Sequence, residues 1–387
     1  MKKTKIAFVV HNLVTGGIAK SLVELTSIID YDKYEVTVWM IKEEGDFVKL
    51  LHPKVIIKTF SSISSKDILK QYLCKGKIFK LLRGCYYRVL ARLFKHDWWR
   101  SGKYAALAVR DASDQYDCAI AYYGKSFLID LYTLYRIKAT KHILWIHGEH
   151  PMDEKIIPMM DKGYAEFDRI YCVSKSIQKL FNDKFRIAAS KTEVLYNYVN
   201  PDQIRILSDA HIPHMEEYSL VTVGRLSEEK GQALIPRTVR NLKEKGYVVH
   251  WYIIGDGPLR NSIEESIVEN SVESFVHLLG AKENPYPYIK HCNIYVQTSF
   301  SEGWGLTVQE ARILHKPMVV TPLSAMYEQI TNGKNGLIAA ETTPEAISAS
   351  IGFLLDHPEL QQEFIEVLGK ENNNYEELQK LLDYIES

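Results

Sequence analysis

The feature that most constrains this chain is an alternation. Short runs rich in Val, Ile and aromatic residues are each followed by a stretch with helical spacing, along nearly the whole length. Parallel strands need a crossover between them, usually a helix, so strand-then-helix alternation predicts parallel sheets covered on both faces. In the first half the strand candidates are Lys5 to Val10, Glu35 to Ile41, Val55 to Phe60, Asp117 to Tyr122, His142 to His147 and Arg169 to Val173. In the second half they are Tyr218 to Val223, Val248 to Ile254, Phe275 to Leu279, Ile294 to Gln297 and Pro317 to Val320. Both halves therefore read as doubly wound α/β sheets, and 387 residues exceed what one core usually supports. The expected boundary is the polar, Pro-containing stretch from Asn200 to Glu217, after which a fresh strand begins. This gives domains over 1–200 and 201–360, with 361–387 as a C-terminal helix able to pack back onto the first domain.

Composition excludes several classes. The five cysteines are odd in number, widely spaced and form no CxxC pair, which argues against a disulfide framework or a zinc site and fits a reducing compartment. The N-terminal MKKTKIAFVVHNL reads as a buried strand rather than a signal peptide, because His11 and Asn12 interrupt the apolar run and no small-residue cleavage site follows. No run of about 18 apolar residues is present to span a bilayer, so the expected location is cytoplasmic. Net charge is zero, but residues 1–200 carry 33 Lys+Arg against 21 Asp+Glu, and residues 201–387 carry 15 against 27. A basic half joined to an acidic one suggests that one of them meets an anionic surface.

Motifs fall at predicted strand ends, where doubly wound sheets bind ligands. After the first strand, HNLVTGGIAKSL carries Gly16 and Gly17 into a helix; glycines admit phosphate oxygens close to the backbone, and a helix start supplies free N–H groups. A tight turn with no ligand explains the same pair. LVTVGRLSEEKG sets Arg225 and Lys230 just past a strand end, where a planar fork and a point charge both reach a diphosphate; a pair of solvated surface cations is the plain alternative. WYIIGDGPLR places Arg260 where a dinucleotide fingerprint needs its third glycine, and reads as a turn. In QTSFSEGWGLTVQEARILHKPMVV, Glu302 and Glu310 stand eight residues apart across a loop and a helix start, with Gly303 and Gly305 between them. Carboxylates suit the hydroxyls of ribose and hexose, although an acid near a helix N-terminus and a solvated helical Glu account for them equally.

GGIAKSL, VGRLSEEKG, GDGPLR, EGWGLTVQE and TNGKNGLIA, in this order and at these separations, resemble the retaining glycosyltransferases of family 4. The resemblance is clear over residues 142–340, good over the first 40, and weak over 60–115. It implies a GT-B fold, two Rossmann-like domains facing an interdomain cleft. It also implies that Arg225 and Lys230 hold the diphosphate, Glu310 the ribose hydroxyls and Glu302 the donor sugar, with the amides of Gly303, Trp304, Gly305 and Leu306 approaching sugar and phosphate. Gly16 and Gly17 would reach the diphosphate from the opposite wall, and His147 in WIHGEHP matches the family's histidine beside the sugar. Asn197 in VLYNYVN matches a motif near the interdomain crossover. The chain departs from the pattern at Ile18-Ala19-Lys20, where the family often has Ala-Glu-Arg, so a first-domain contact through that Glu is missing.

The activity implied is transfer of a hexose, with retention, from a nucleotide-diphosphate sugar to a glycan acceptor in surface polysaccharide biosynthesis. No cofactor and no metal are expected: the one DxD triplet, Asp30-Tyr31-Asp32, lies between a helix and a strand and reads as a turn. Two further readings keep the fold: a non-catalytic glycan-binding or scaffold subunit, and a sugar-nucleotide epimerase. Residues 66–103 hold eleven Lys or Arg against Asp67 and Asp97. At helical spacing Ile78, Leu82, Cys85, Val89 and Leu93 form an apolar stripe beside Lys77, Lys80, Arg88, Arg92 and Lys95, with Trp98 and Trp99 following. Such a helix can lie in an anionic membrane interface with its tryptophans at headgroup level, which would make the acceptor a lipid-linked saccharide. It can equally pack its stripe on the first domain. No nucleic-acid module accompanies the basic patch.

Overall fold

The computed structural model describes residues 2–14, 16–60, 78–108, 114–122, 126–149, 153–371 and 376–387. The chain forms two compact units, Met1–Tyr198 with Tyr375–Ser387, and Val199–Asn374.

The first unit is built on a seven-stranded sheet of β1 (Thr4–Val10), β2 (Tyr34–Met40), β3 (Ile56–Thr59), β4 (Gln115–Ala121), β5 (Lys138–Ile146), β6 (Arg169–Cys172) and β7 (Thr192–Val194), in the order β3-β2-β1-β4-β5-β6-β7. Every neighbouring pair is parallel. β1 shows why: Ile6 to Val10 are all buried, as expected of a strand covered on both faces. The chain runs outward from β1 to β3, then returns to lay β4 on the other side of β1, so the strand order reverses there.

The second unit repeats the plan with six parallel strands: β8 (Ser219–Val223), β9 (His250–Ile254), β10 (Val276–Gly280), β11 (Ile294–Gln297), β12 (Met318–Val320) and β13 (Leu337–Ile338), ordered β10-β9-β8-β11-β12-β13. Its core gathers Trp251, Val296, Ile263, Ile351 and Phe364. The indole of Trp251 donates to Thr222 Oγ1 at 3.0 Å, and that hydroxyl donates to the Val296 carbonyl at 2.6 Å, so the buried polar atoms are satisfied. Here the order reverses between β8 and β11, and the crevice outside the carboxyl ends of these two strands is where such a sheet binds ligands.

Three expectations change. The stretch expected as a linker begins with a helix, Pro201–Ser208, that belongs to the second unit; Asn200 caps it by accepting from Gln203 N at 3.1 Å. The C-terminal stretch is two helices rather than one. Pro358–Gly369 stays in the second unit, burying Phe364 and Leu368, while Glu376–Glu386 lies in the first. There Leu381, Leu382 and Ile385 are buried, Lys141 Nζ donates to the Tyr384 carbonyl at 2.7 Å, and the Arg169 guanidinium sits 4.6 Å over the Tyr384 ring. The edge strands β7 and β13 were not predicted, being three and two residues long.

Candidate functional site

The carboxyl end of β8 leads into Gly224, Arg225 and the turn Glu228–Lys230; that of β11 leads into Thr298 to Glu302 and the helix Leu306–Ile313. These two segments are clamped together. Phe300 N donates to Glu229 O at 2.8 Å, Ser301 N to the same carbonyl at 3.2 Å, and Thr298 Oγ1 to Lys230 O at 2.9 Å. The approach requires glycine at 231: φ is +64°, and a Cβ would stand 2.1 Å from the Thr298 carbonyl oxygen. Gly257 is tight for a related reason, since a Cβ there would lie 2.4 Å from the Leu226 carbonyl, so GDGPLR is the turn that packs against the β8 loop.

Within this frame Lys230 Nζ meets Glu302 Oε1 at 2.7 Å, with side-chain exposures of 23% and 6%. The lysine stem runs past Gly224, the residue before Arg225, and Arg225 itself is exposed. Of the residues named by the sequence, Lys230 and Glu302 are thus brought together at the strand-order reversal, and Arg225 stands on the same loop as Lys230. Glu302 Oε1 also accepts from Gln297 Nε2 at 3.0 Å and Ser299 Oγ at 2.8 Å. Neither of these two donors was singled out from the sequence. The signal that could have found Gln297 is a glutamine at the carboxyl end of the otherwise apolar run Ile294–Gln297.

The loop Gly303 to Leu306 is fixed from both sides. Trp304 Nε1 donates to Gln309 Oε1 at 2.8 Å, and Gln329 Nε2 donates to the carbonyls of Trp304 and Gly305. Gly305 caps the helix at φ +86°, a left-handed conformation glycine adopts freely. One turn on, Glu310 is fully buried. Its carboxylate neighbours the Tyr295 phenol, whose ionisation is pushed well up, chiefly by burial and further by the charges of Glu310 and Glu302, against a lowering hydrogen bond to Thr307.

In the first unit, Gly16 precedes the helix Gly17–Ser27 with extended backbone, and nothing lies within 4 Å of where its Cβ would stand. Neither strain nor crowding demands glycine there. His147 follows β5 and is 8% exposed, stacked at 5.8 Å on Trp145 and edge-on at 4.4 Å to Tyr122. Asp30-Tyr31-Asp32 folds as a turn: Asp32 N donates to Asp30 Oδ1 at 2.9 Å, and Lys54 pairs with Asp32 at 3.7 Å. Cys85, Cys118, Cys172 and Cys292 are free thiols.

The basic segment forms the helix Ile78–Leu93 followed by Trp98–Ala108; Lys77 and the side chains of Ile78 and Lys80 lie outside the described residues. Leu82, Tyr86, Val89 and Leu93 are exposed by 55–70%, and Cys85 is exposed with them. The stripe therefore does not pack on the first unit. The opposite side does: Tyr87 stacks on Tyr104, and Ser101 Oγ donates to the Ala91 carbonyl at 3.0 Å. Trp98 is 59% exposed, but Trp99 corrects the expectation of a tryptophan pair in the headgroups. It is 3% exposed, donates to Tyr135 and Glu166 at 3.0 Å each, and fills the space beside Gly163. No described helix is long and apolar enough to cross a membrane.

Two Rossmann-like units of this kind define the GT-B fold, and solved structures agree. Anabaena Alr3699/HepE in complex with UDP matches with a TM-score of 0.72 over 99% of this chain and 100% of that one, at 15% identity. The same protein in complex with UDP-glucose gives 0.71 over 99% of each, at 16%. In sequence, residues 204–368 match the family model described as glycosyl transferases group 1, a span inside the second unit. The uncharacterized glycosyltransferase MJ1059 of Methanocaldococcus jannaschii is 30% identical over 196 residues, 47% of this chain and 48% of that one. The Campylobacter jejuni N,N'-diacetylbacillosaminyl-diphospho-undecaprenol alpha-1,3-N-acetylgalactosaminyltransferase is 24% identical over 340 residues, 84% and 82%. The chain spans about half the length of the first of these relatives and most of the second.

Proposed function

We propose that this chain is a retaining, nucleotide-sugar-dependent glycosyltransferase that moves a hexose to a glycan acceptor, a lipid-linked saccharide in surface polysaccharide synthesis. The observation that carries the reading is the Lys230–Glu302 ion pair joining the loops after β8 and β11 at the strand-order reversal of the second sheet, with Arg225 on the first of these loops and Glu310 buried in the helix that follows the second. Breaking the anomeric bond leaves negative charge on the departing diphosphate while positive charge grows at the sugar. Lys230 and Arg225 offset the first, and Glu302 and the loop amides orient the second. Glu310 serves the ribose hydroxyls. Gly16, Gly17 and His147 in the first unit keep the roles that the family resemblance implies for them. A retired binding subunit has no physical reason to bury Glu310 or to hold Lys230 against Glu302, which disfavours the scaffold reading.

The Anabaena neighbour's UDP-glucose and the Campylobacter relative's undecaprenol-linked substrate support the donor and acceptor classes. The acceptor's lipid suits the exposed stripe of Ile78–Leu93, bordered by Arg88, Arg92 and Lys95, which docks on an anionic bilayer from the cytoplasmic side. No metal takes part. Arg225→Ala and Lys230→Ala are each expected to lower kcat/KM at least about tenfold, ~1.4 kcal/mol of transition-state stabilisation, and wild-type turnover is expected to persist in EDTA. Wild-type rates in both variants would remove the assignment, and strict metal dependence would overturn the charge argument.

A further inference from the structure

We infer that Gln297 is a positioning residue of the donor site, its side-chain amide fixing the carboxylate of Glu302 and, through it, Lys230. The inference rests on the glycosyltransferase reading above and adds to it a residue that does not itself touch the donor.

Gln297 ends β11 and is 2% exposed. All of its polar capacity is directed. The amide oxygen accepts from Tyr295 OH at 2.7 Å and Thr307 Oγ1 at 3.3 Å; the nitrogen donates to Ser299 Oγ at 2.8 Å and Glu302 Oε1 at 3.0 Å. An ionised carboxylate only accepts, so the group facing Glu302 has to be the NH2, and the two hydroxyls behind lock that orientation. Ser299 relays the same polarity, accepting from Gln297 and donating to Glu302 at 2.8 Å. Together with Lys230 Nζ at 2.7 Å, three donors converge on one oxygen, Oε1. None of the three uses Oε2, so the arrangement anchors the carboxylate through one oxygen and leaves the other out of these three bonds.

The consequence is electrostatic as well as geometric. Glu302 is bonded by Lys230 from the Glu228–Lys230 turn and by Gln297 and Ser299 from β11 and its loop; behind Gln297 stand the hydroxyls of Tyr295 and of Thr307 from the helix Leu306–Ile313, and the charges of Glu302 and Glu310 both bear on the Tyr295 phenol. The amide NH2 holds the same Glu302 oxygen that Lys230 binds, and so helps to keep Lys230 in place. Gln297→Glu keeps the shape and sets a second carboxylate about 3 Å from the first, so one of the two must hold a proton.

The test first screens UDP-glucose, UDP-N-acetylglucosamine, GDP-mannose and ADP-glucose for release of nucleoside diphosphate by the wild-type chain without acceptor, then follows the active donor across pH. Gln297→Glu is expected to lose about thirtyfold in kcat near pH 8 and to recover most of it toward pH 6, where one shared proton restores the hydrogen bond; Gln297→Leu is expected to lose activity without acid recovery. A Gln297→Glu profile parallel to wild type overturns the inference alone. A wild type that releases no diphosphate from any donor overturns the glycosyltransferase reading and this inference with it. Should Gln297→Glu fail to fold, Tyr295→Phe keeps the ring and removes one orienting hydroxyl: a fall of about threefold in kcat with KM unchanged supports the inference, and an unchanged kcat overturns it.

Discussion

Asp130 illustrates how a single residue couples to the medium. It lies 1% exposed in the helix Phe127–Tyr135, and burial pushes its carboxyl up to about 8, the Tyr164 hydroxyl working in the opposite direction. Between about pH 4 and pH 8 the folded chain holds a proton there that the unfolded chain has released. Stability therefore falls as pH rises through that window, by up to about 1.4 kcal/mol per unit, and levels off above it. Asp130→Asn is expected to raise Tm at pH 7.5 while changing it little at pH 4, read by thermal unfolding across a pH series. An equal shift at both pH values would mean the carboxyl is ionised in the fold. Neither Asp130 nor Gln297 was visible as special in the sequence, because a polar residue in an apolar run announces only that it needs a partner. Lys230 and Glu302 were legible, because glycines and charges at a strand's end carry a chemical meaning before any contact is known. That they share one ion pair was not, since 72 residues separate them.

Among the elements, length helped only in part. β1, β2, β8 and β9 were found within a residue or two, the strands being five to seven residues long with buried runs of four or five. β7 and β13 were missed because, unlike the fully buried three-residue β12 that was found, they are short and only partly buried, so no apolar run marks them; their pairing with β6 and β12 comes from the sheet. The helix Ile78–Leu93 presents the opposite case: its stripe was plain, but periodicity alone left open whether the stripe faced a core or a surface. Exposure of Leu82, Val89 and Leu93 decides for the surface. Replacing Arg88, Arg92 and Lys95 with Glu is expected to weaken binding to phosphatidylglycerol vesicles at least tenfold, at ~1 kcal/mol per basic residue, with no change on phosphatidylcholine. Unchanged sedimentation with the anionic vesicles would retire the docking surface.

At the scale of the whole molecule, alternation of strand and helix predicted two doubly wound sheets, and the structure has both. The C-terminal helix was expected as able to pack back onto the first domain, and Glu376–Glu386 does lie in the first unit; the contacts that hold it there, Lys141 and Arg169 on Tyr384, have no local signature. The charge asymmetry is likewise a property of the whole, a basic first half and an acidic second half in which a small cluster of cations, Arg225 and Lys230, nonetheless stands on the loop after β8. The central claim is that this cluster binds a nucleotide sugar through its diphosphate. Thermal unfolding of the full chain against a panel of nucleotide sugars tests it most directly, because a ligand that binds only the folded state raises Tm by mass action. The account predicts that at least one donor raises the Tm of the wild type and that Lys230→Ala loses most of that rise; a panel with no rise, or a rise undiminished in Lys230→Ala, would contradict it.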